Sequence, residues 1–178
     1  MLLNIKEIEH QLNKKFSLFN GEMDDLILKK RKSPVSNLDS SEEMLHVKFP
    51  IDFSSFLKEY NIDNFSLGNI AFGSGEDYLS KVIDLNDEDN FSHWWSGKSR
   101  PDGIIVIALS DPYAILLNTI DCKVYAITSE KKESDKEPIA DSFDSFFCGV
   151  GSIFLKHCSH NEVEKLVGAK NSDFWSLV

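Results

Sequence analysis

Helices and strands in one compact domain are what this sequence predicts, on three observations. The stretch from Pro101 to Ile127 reads as three short buried strands joined by two tight connections. A phenylalanine-striped helix follows it, and amphipathic helices precede it. The chain has 178 residues, 42% of them hydrophobic, enough for a single domain over 1–178 to bury its own core without disulfide staples. No element carries a recognisable catalytic motif, so the arrangement points to a binding domain and not to an enzyme.

Taken in order, Ile5, Ile8, Leu12 and Phe16 fall three or four residues apart and mark a first amphipathic helix, closed by the Asn20-Gly21 turn. Met23 to Lys30 reads as a second short helix, because Asp24 and Asp25 at its start and Lys29 to Lys32 at its end suit the helix dipole. Residues 33–44 are polar and read as a loop, and 18–48 as a whole is taken as a variable N-terminal insertion or loop. Phe49-Pro50-Ile51-Asp52 opens the next helix, since proline is tolerated in a first turn where its missing N–H has no partner. Phe53, Phe56, Leu57 and Tyr60 form its apolar stripe, and Asn61 ends it.

Asn69 to Phe72 is a candidate strand closed by Gly73-Ser74-Gly75. Glu76 to Asn90 holds six acids against one lysine, and the stripe of Tyr78, Leu79, Val82 and Ile83 fits helix or strand. Phe91 to Pro101 is a loop by its Ser, Gly and Pro content. Ile104–Leu109, Ala114–Asn118 and Val124–Thr128 are strands by length and β-branching, with turns at Asp111-Pro112 and Asp121-Cys122. Residues 129–138 are a charged linker or hairpin tip. Asp141-Ser142 can cap a helix faced by Phe143, Phe146, Phe147, Val150 and Phe154. Ser159 and Glu162 make a capping box for a last helix within 159–178 through Val163, Leu166 and Val167, with Gly168 as terminator.

The net charge is −10, and it is uneven. Residues 1–48 carry eight basic and eight acidic side chains, so the whole imbalance lies in 49–178, with 11 basic and 21 acidic. Such a field repels free nucleic acid and attracts a basic protein, steering association at low salt. Three cysteines at irregular spacing fit a reducing cytoplasm better than a disulfide framework. The N-terminus is charged by residue 6 and no apolar run reaches membrane-spanning length, so neither a signal peptide nor a membrane helix is expected.

Chemistry-bearing residue types occur without the patterns chemistry needs. Cys148, His157, Cys158 and His160 are metal-ligand types, but adjacent His157 and Cys158 would have to serve one ion, and a helix end with its cap accounts for them. Asp84, Asn86 and Glu88 alternate like a calcium loop, yet Asp89 stands where the turn glycine belongs and Trp95 where the bidentate acid belongs. No nucleophile elbow or phosphate-cradling glycine loop is present. No cofactor or metal is therefore expected. His93-Trp94-Trp95 can seal a core edge, anchor a partner or stack a small molecule; tryptophan and tyrosine dominate protein–protein hot spots.

The ordered set of segments resembles the SUKH superfamily. Phe49-Pro-Ile-Asp-Phe-Ser-Ser-Phe-Leu-Lys-Glu-Tyr-Asn61 is similar to its Leu-Pro-x-Asp-Tyr-x-x-Phe-Leu-x-x-x-Asn-Gly segment, and Ile70-Ala-Phe-Gly73 to the strand that follows. Pro101-Asp-Gly-Ile-Ile-Val-Ile-Ala resembles its proline-led strand. Ala114-Ile-Leu-Leu-Asn-Thr-Ile-Asp-Cys-Lys-Val-Tyr125 resembles its hairpin, and Ile139-Ala-Asp-Ser-Phe-Asp-Ser-Phe-Phe147 its closing helix. Ile62 and Cys122 stand where the family commonly has glycine, and Asp111-Pro112-Tyr113 replaces its Gly-Asp turn. The resemblance implies an α+β fold with a central, mostly antiparallel sheet flanked by helices. It also implies no shared catalytic residues, and a role as a bacterial immunity protein or, as in fungal relatives, a scaffold regulating cell-wall synthesis.

The reading that follows is a cytoplasmic immunity protein, monomer or homodimer. It would bind and neutralise a cognate toxin domain, a basic nuclease, without contacting nucleic acid or membrane. Glu76, Asp77, Asp84, Asp87, Glu88 and Asp89 are the expected charged contacts, and Trp94, Trp95 and Tyr113 the expected anchors. A regulatory scaffold and a small-molecule-binding protein are the alternatives.

Overall fold

A computed structural model describes residues 1–95, 99–129, 137–170 and 173–178. The middle of the charged linker expected at 129–138, residues 130–136, lies outside them. At the centre is a five-stranded, wholly antiparallel sheet in the order β3-β4-β5-β6-β7. Its strands are β3 (Ser66–Leu67), β4 (Ile70–Ala71), β5 (Ile104–Ser110), β6 (Tyr113–Asn118) and β7 (Val124–Ile127). The three long strands are those marked by β-branched content. The β5–β6 turn is Asp111-Pro112, and the β6–β7 turn places Cys122 at φ +63°. That left-handed conformation is the one glycine adopts freely, which explains why the similar hairpins carry glycine there.

Helices α1 (Ile5–Phe16), α3 (Ile51–Glu59) and α6 (Phe143–Phe154) lie where the apolar stripes put them. Asn4 caps α1 with a capping box through Glu7, and the Ser142 hydroxyl caps α6 by accepting from the Ser145 N–H. Phe53, Phe56, Phe65, Phe72, Phe143 and Phe147 are all buried, their ring centroids 4.8–6.4 Å apart, many of the pairs tilted or edge-on. Two α6 glycines permit close approach. A Cβ on Gly151 would fall 2.5 Å from Ile8 of α1, and one on Gly149 would fall 2.8 Å from Trp175. The last helix, α7 (His160–Leu166), begins at Ser159, whose N–H and hydroxyl both donate to Glu162.

Three expectations are corrected. Met23–Lys30 is not a helix: a single 3-10 turn, Asp24–Leu26, leads into β1 (Lys29–Lys30), which pairs with β2 (Tyr60–Asn61). Eight residues are too few for a helix to stand on charge order alone, and a strand partner with burial of Leu28 outweighs it. Residues 33–44 are not all loop: α2 (Leu38–Leu45) buries Leu38, Ser41, Glu42 and Leu45. Its inward face includes a serine and a glutamate, so the apolar period was hidden. Glu42 is tolerated because its carboxylate accepts the Phe49 N–H at 2.8 Å and pairs with Lys48. The third concerns Tyr113, described below.

Candidate protein-binding site

Glu76 to Asn90, ambiguous between helix and strand, forms two helices, α4 (Tyr78–Leu85) and the single-turn α5 (Glu88–Phe91). Two buried polar groups fasten α4 to β5. The Tyr78 hydroxyl donates to the Ile107 carbonyl at 2.8 Å. Asn86 donates to the carbonyls of Val82 and Val106 and accepts the Val106 N–H at 2.8 Å. The Asn86 amide thus acts as one rung of a missing strand, satisfying backbone groups that β4, paired with β5 only at Ala71–Leu109, leaves open. This clamp fixes where the acidic turn projects.

The six acids divide by task. Asp77 caps α4, accepting from the Ser80 N–H and hydroxyl at 2.8 Å and from the Asn37 amide at 2.9 Å. Burial pushes the Asp77 carboxyl up, but these hydrogen bonds and the nearby Arg31 outweigh it and hold it below its ordinary value. Asp87 caps α5, accepting from the N–H groups of Asp89 and Asn90. Glu76 accepts from the Ser74 hydroxyl. Asp84, Glu88 and Asp89 are exposed, and among the described residues their carboxylates join no ion pair or hydrogen bond. The structure therefore brings three solvent-facing charges together and commits two of the other acids to helix caps.

Behind this edge lies the outer face of the sheet. Val106, Ala114, Leu116 and Ile127 form a small apolar cluster there with Phe91, and half-buried Trp94 and Trp95 pack on it. The rings of Phe91 and Trp95 are 5.9 Å apart. His93 is exposed, its Nδ1 lying 3.0 Å from the Asn90 carbonyl. Tyr113 is not at this surface. Only 7% exposed, it packs edge-on against Phe174 at 5.5 Å, on the opposite, core-facing side of its strand. Period-two alternation decides this: Ala114 and Leu116 face out, so Tyr113, Ile115 and Leu117 face in.

The SUKH_6 family model, described as SMI1-KNR4 cell-wall, matches residues 36–147. The chain belongs to that family. No curated protein matches the sequence. The matched span covers α2, the whole five-stranded sheet and the acidic edge, and ends within α6; α1, β1 and α7 lie outside it. No helix among the described residues is long and apolar enough to cross a membrane, and no three of their His, Cys, Asp or Glu side chains come together to hold a metal ion. Ile51, Asp52 and Asp144, to which the sequence reading gave no weight, border a groove on the helical side of the sheet. An apolar residue at an outward helix position was the signal available for Ile51.

Proposed function

We propose that this SUKH protein is an immunity protein that binds one cognate toxin domain in a one-to-one complex and silences it by contact alone, with no chemistry of its own. The supporting observation is the set of Asp84, Glu88 and Asp89, uncompensated by any cation among the described residues, beside two half-buried tryptophans. Charge of this kind accelerates encounter with a basic partner, and aromatic groups at its margin hold the complex once formed. A nuclease fits as the target, because its own surface is built to attract phosphates. Covering that surface would exclude substrate without any need for a catalytic residue on the inhibitor.

The test is co-expression with the toxic domain encoded beside the gene, scoring growth and isolating the complex. Growth rescue with a stoichiometric complex supports immunity. Absence of both refutes it and favours a scaffold that joins other proteins.

A further inference from the structure

The first turn of α1, the length of α3, the first two turns of α6 and the β6–β7 turn border a groove of about 1170 Å³. It shares no residue with the acidic edge. Its wall is largely apolar: Phe49, Pro50, Phe56 and Tyr60 line it, with Cys148, whose thiol burial, then the charges of Asp144 and Glu7, push up to about 12 and keep neutral. Ile51, at the start of α3, is 85% exposed on its border. Covering so exposed a branched apolar side chain would take its apolar surface out of water.

The groove also has an uncompensated charge. One Asp52 oxygen accepts the Phe53 N–H at 2.8 Å, and the other accepts the Asp144 N–H at 3.2 Å, so the first turns of α3 and α6 are stitched together. That contact brings two carboxylates to one wall. The Asp144 carboxylate accepts no hydrogen bond among the described residues, and burial, then the charge of Asp52, raise its proton affinity above the ordinary value. The cations nearby are mostly engaged: Lys48 pairs with Glu42, and Glu59 is already matched by Lys30 at 3.4 Å. Among the described residues lining the groove, Lys6 in the first turn of α1 is the cation that remains to face two acids.

From this complementarity we infer that the groove is a docking site for an apolar segment of a partner protein that places a lysine or arginine against Asp52 and Asp144. This deepens the reading of the protein as a protein-binding domain and rests on it. It makes recognition two-sided, with an exposed acidic edge for encounter and an apolar groove for retention. A guanidinium or ammonium there would relieve the like-charge pair, while its neighbouring apolar residue covers Ile51.

The experiment uses the full chain, isotopically labelled, titrated with a short synthetic leucine–arginine peptide and with its leucine–glutamate counterpart. The expected result is saturable amide shifts centred on Ile51, Asp52, Asp144 and Cys148 for the arginine peptide alone. Ile51→Glu and Asp144→Lys, both at exposed positions, should each weaken it about tenfold, a loss of about 1.4 kcal/mol. Equal binding of both peptides, shifts centred on Glu88 and Asp89, or no saturable shift would overturn the inference. In a complex with the toxin domain, Cys122 at the groove should be shielded from alkylation while Cys158, which lies outside the groove, keeps its free-chain rate. An unshielded Cys122 in a formed complex also overturns it. Failure to form that complex defeats the immunity reading, and the peptide titration then decides the groove by itself.

Discussion

The two faces of the sheet are built from alternate residues of the same strands, yet they do different work. Inward, Ile105, Ile107, Ile115 and Leu117 meet a phenylalanine core closed by three long helices and by Phe174 and Trp175. Outward, Val106, Ala114, Leu116 and Ile127 are covered by a one-turn helix and two half-buried tryptophans. The inner face has redundancy, since rings such as Phe56, Phe72, Phe143 and Phe147 each touch several others. The outer face has a thin cover whose edge carries free charge. The difference teaches where stability resides and where a partner can be accommodated without unfolding the domain.

The comparison breaks most visibly on the inner face. Phe143→Ala removes a fully buried ring that contacts Phe53, Phe56, Phe72 and Phe147, and should cost about 3–5 kcal/mol in urea unfolding. Trp94→Ala on the outer face should cost clearly less; equal losses would mean that the outer cluster is part of the main core. Next in size is the clamp between the faces. Asn86→Ala leaves the Val106 N–H and C=O without partners and should cost roughly 1–3 kcal/mol, with faster hydrogen exchange at Val106. Unchanged exchange there would show that the acidic edge is positioned by something else.

Smaller effects sharpen the division of labour among the acids. Replacing Asp84, Glu88 and Asp89 together by lysine should leave the unfolding midpoint nearly unchanged and slow association with the toxin domain about tenfold at low salt. The salt dependence of the on-rate should shrink with it, and an unaltered on-rate would remove this edge from the interface. Asp77→Ala, by contrast, should cost about 1 kcal/mol through loss of the α4 cap, with little effect on the on-rate. Its pH dependence has a definite sign. The folded carboxyl lies below its ordinary value of 3.8, so its contribution is present above that value and is lost as pH falls through the lower folded value. The gap between wild type and Asp77→Ala should therefore be constant near neutrality and close only in strong acid.

Much of the architecture was legible because it was written in periodicity and caps. The stripe of α1, the rings of α3 and α6, the three long strands and the Ser159–Glu162 box all appear where spacing placed them. α2 was illegible because Ser41 and Glu42 occupy inward positions, and a buried glutamate is acceptable only when Phe49 and Lys48 are there to satisfy it. The Met23–Lys30 segment was misread because charge order is a weak local preference, and pairing with Tyr60–Asn61 is a non-local one. For the candidate site, the acidic run and the tryptophan pair were visible as composition, but their tasks were not. Asp77 and Asp87 look like Glu88 and Asp89 in the sequence, and only helix starts make caps of the first two.

The sequence alone determined the strand and helix faces, the family, and the concentration of negative charge after residue 48, because each depends on residue type and local spacing. Tertiary structure alone decided which of the two faces of β6 the helices cover, that Asn86 completes β5, and that Asp52 and Asp144, 92 residues apart, share one wall of a groove. Those outcomes depend on which backbone groups and side chains distant segments bring into contact, and no local pattern encodes that.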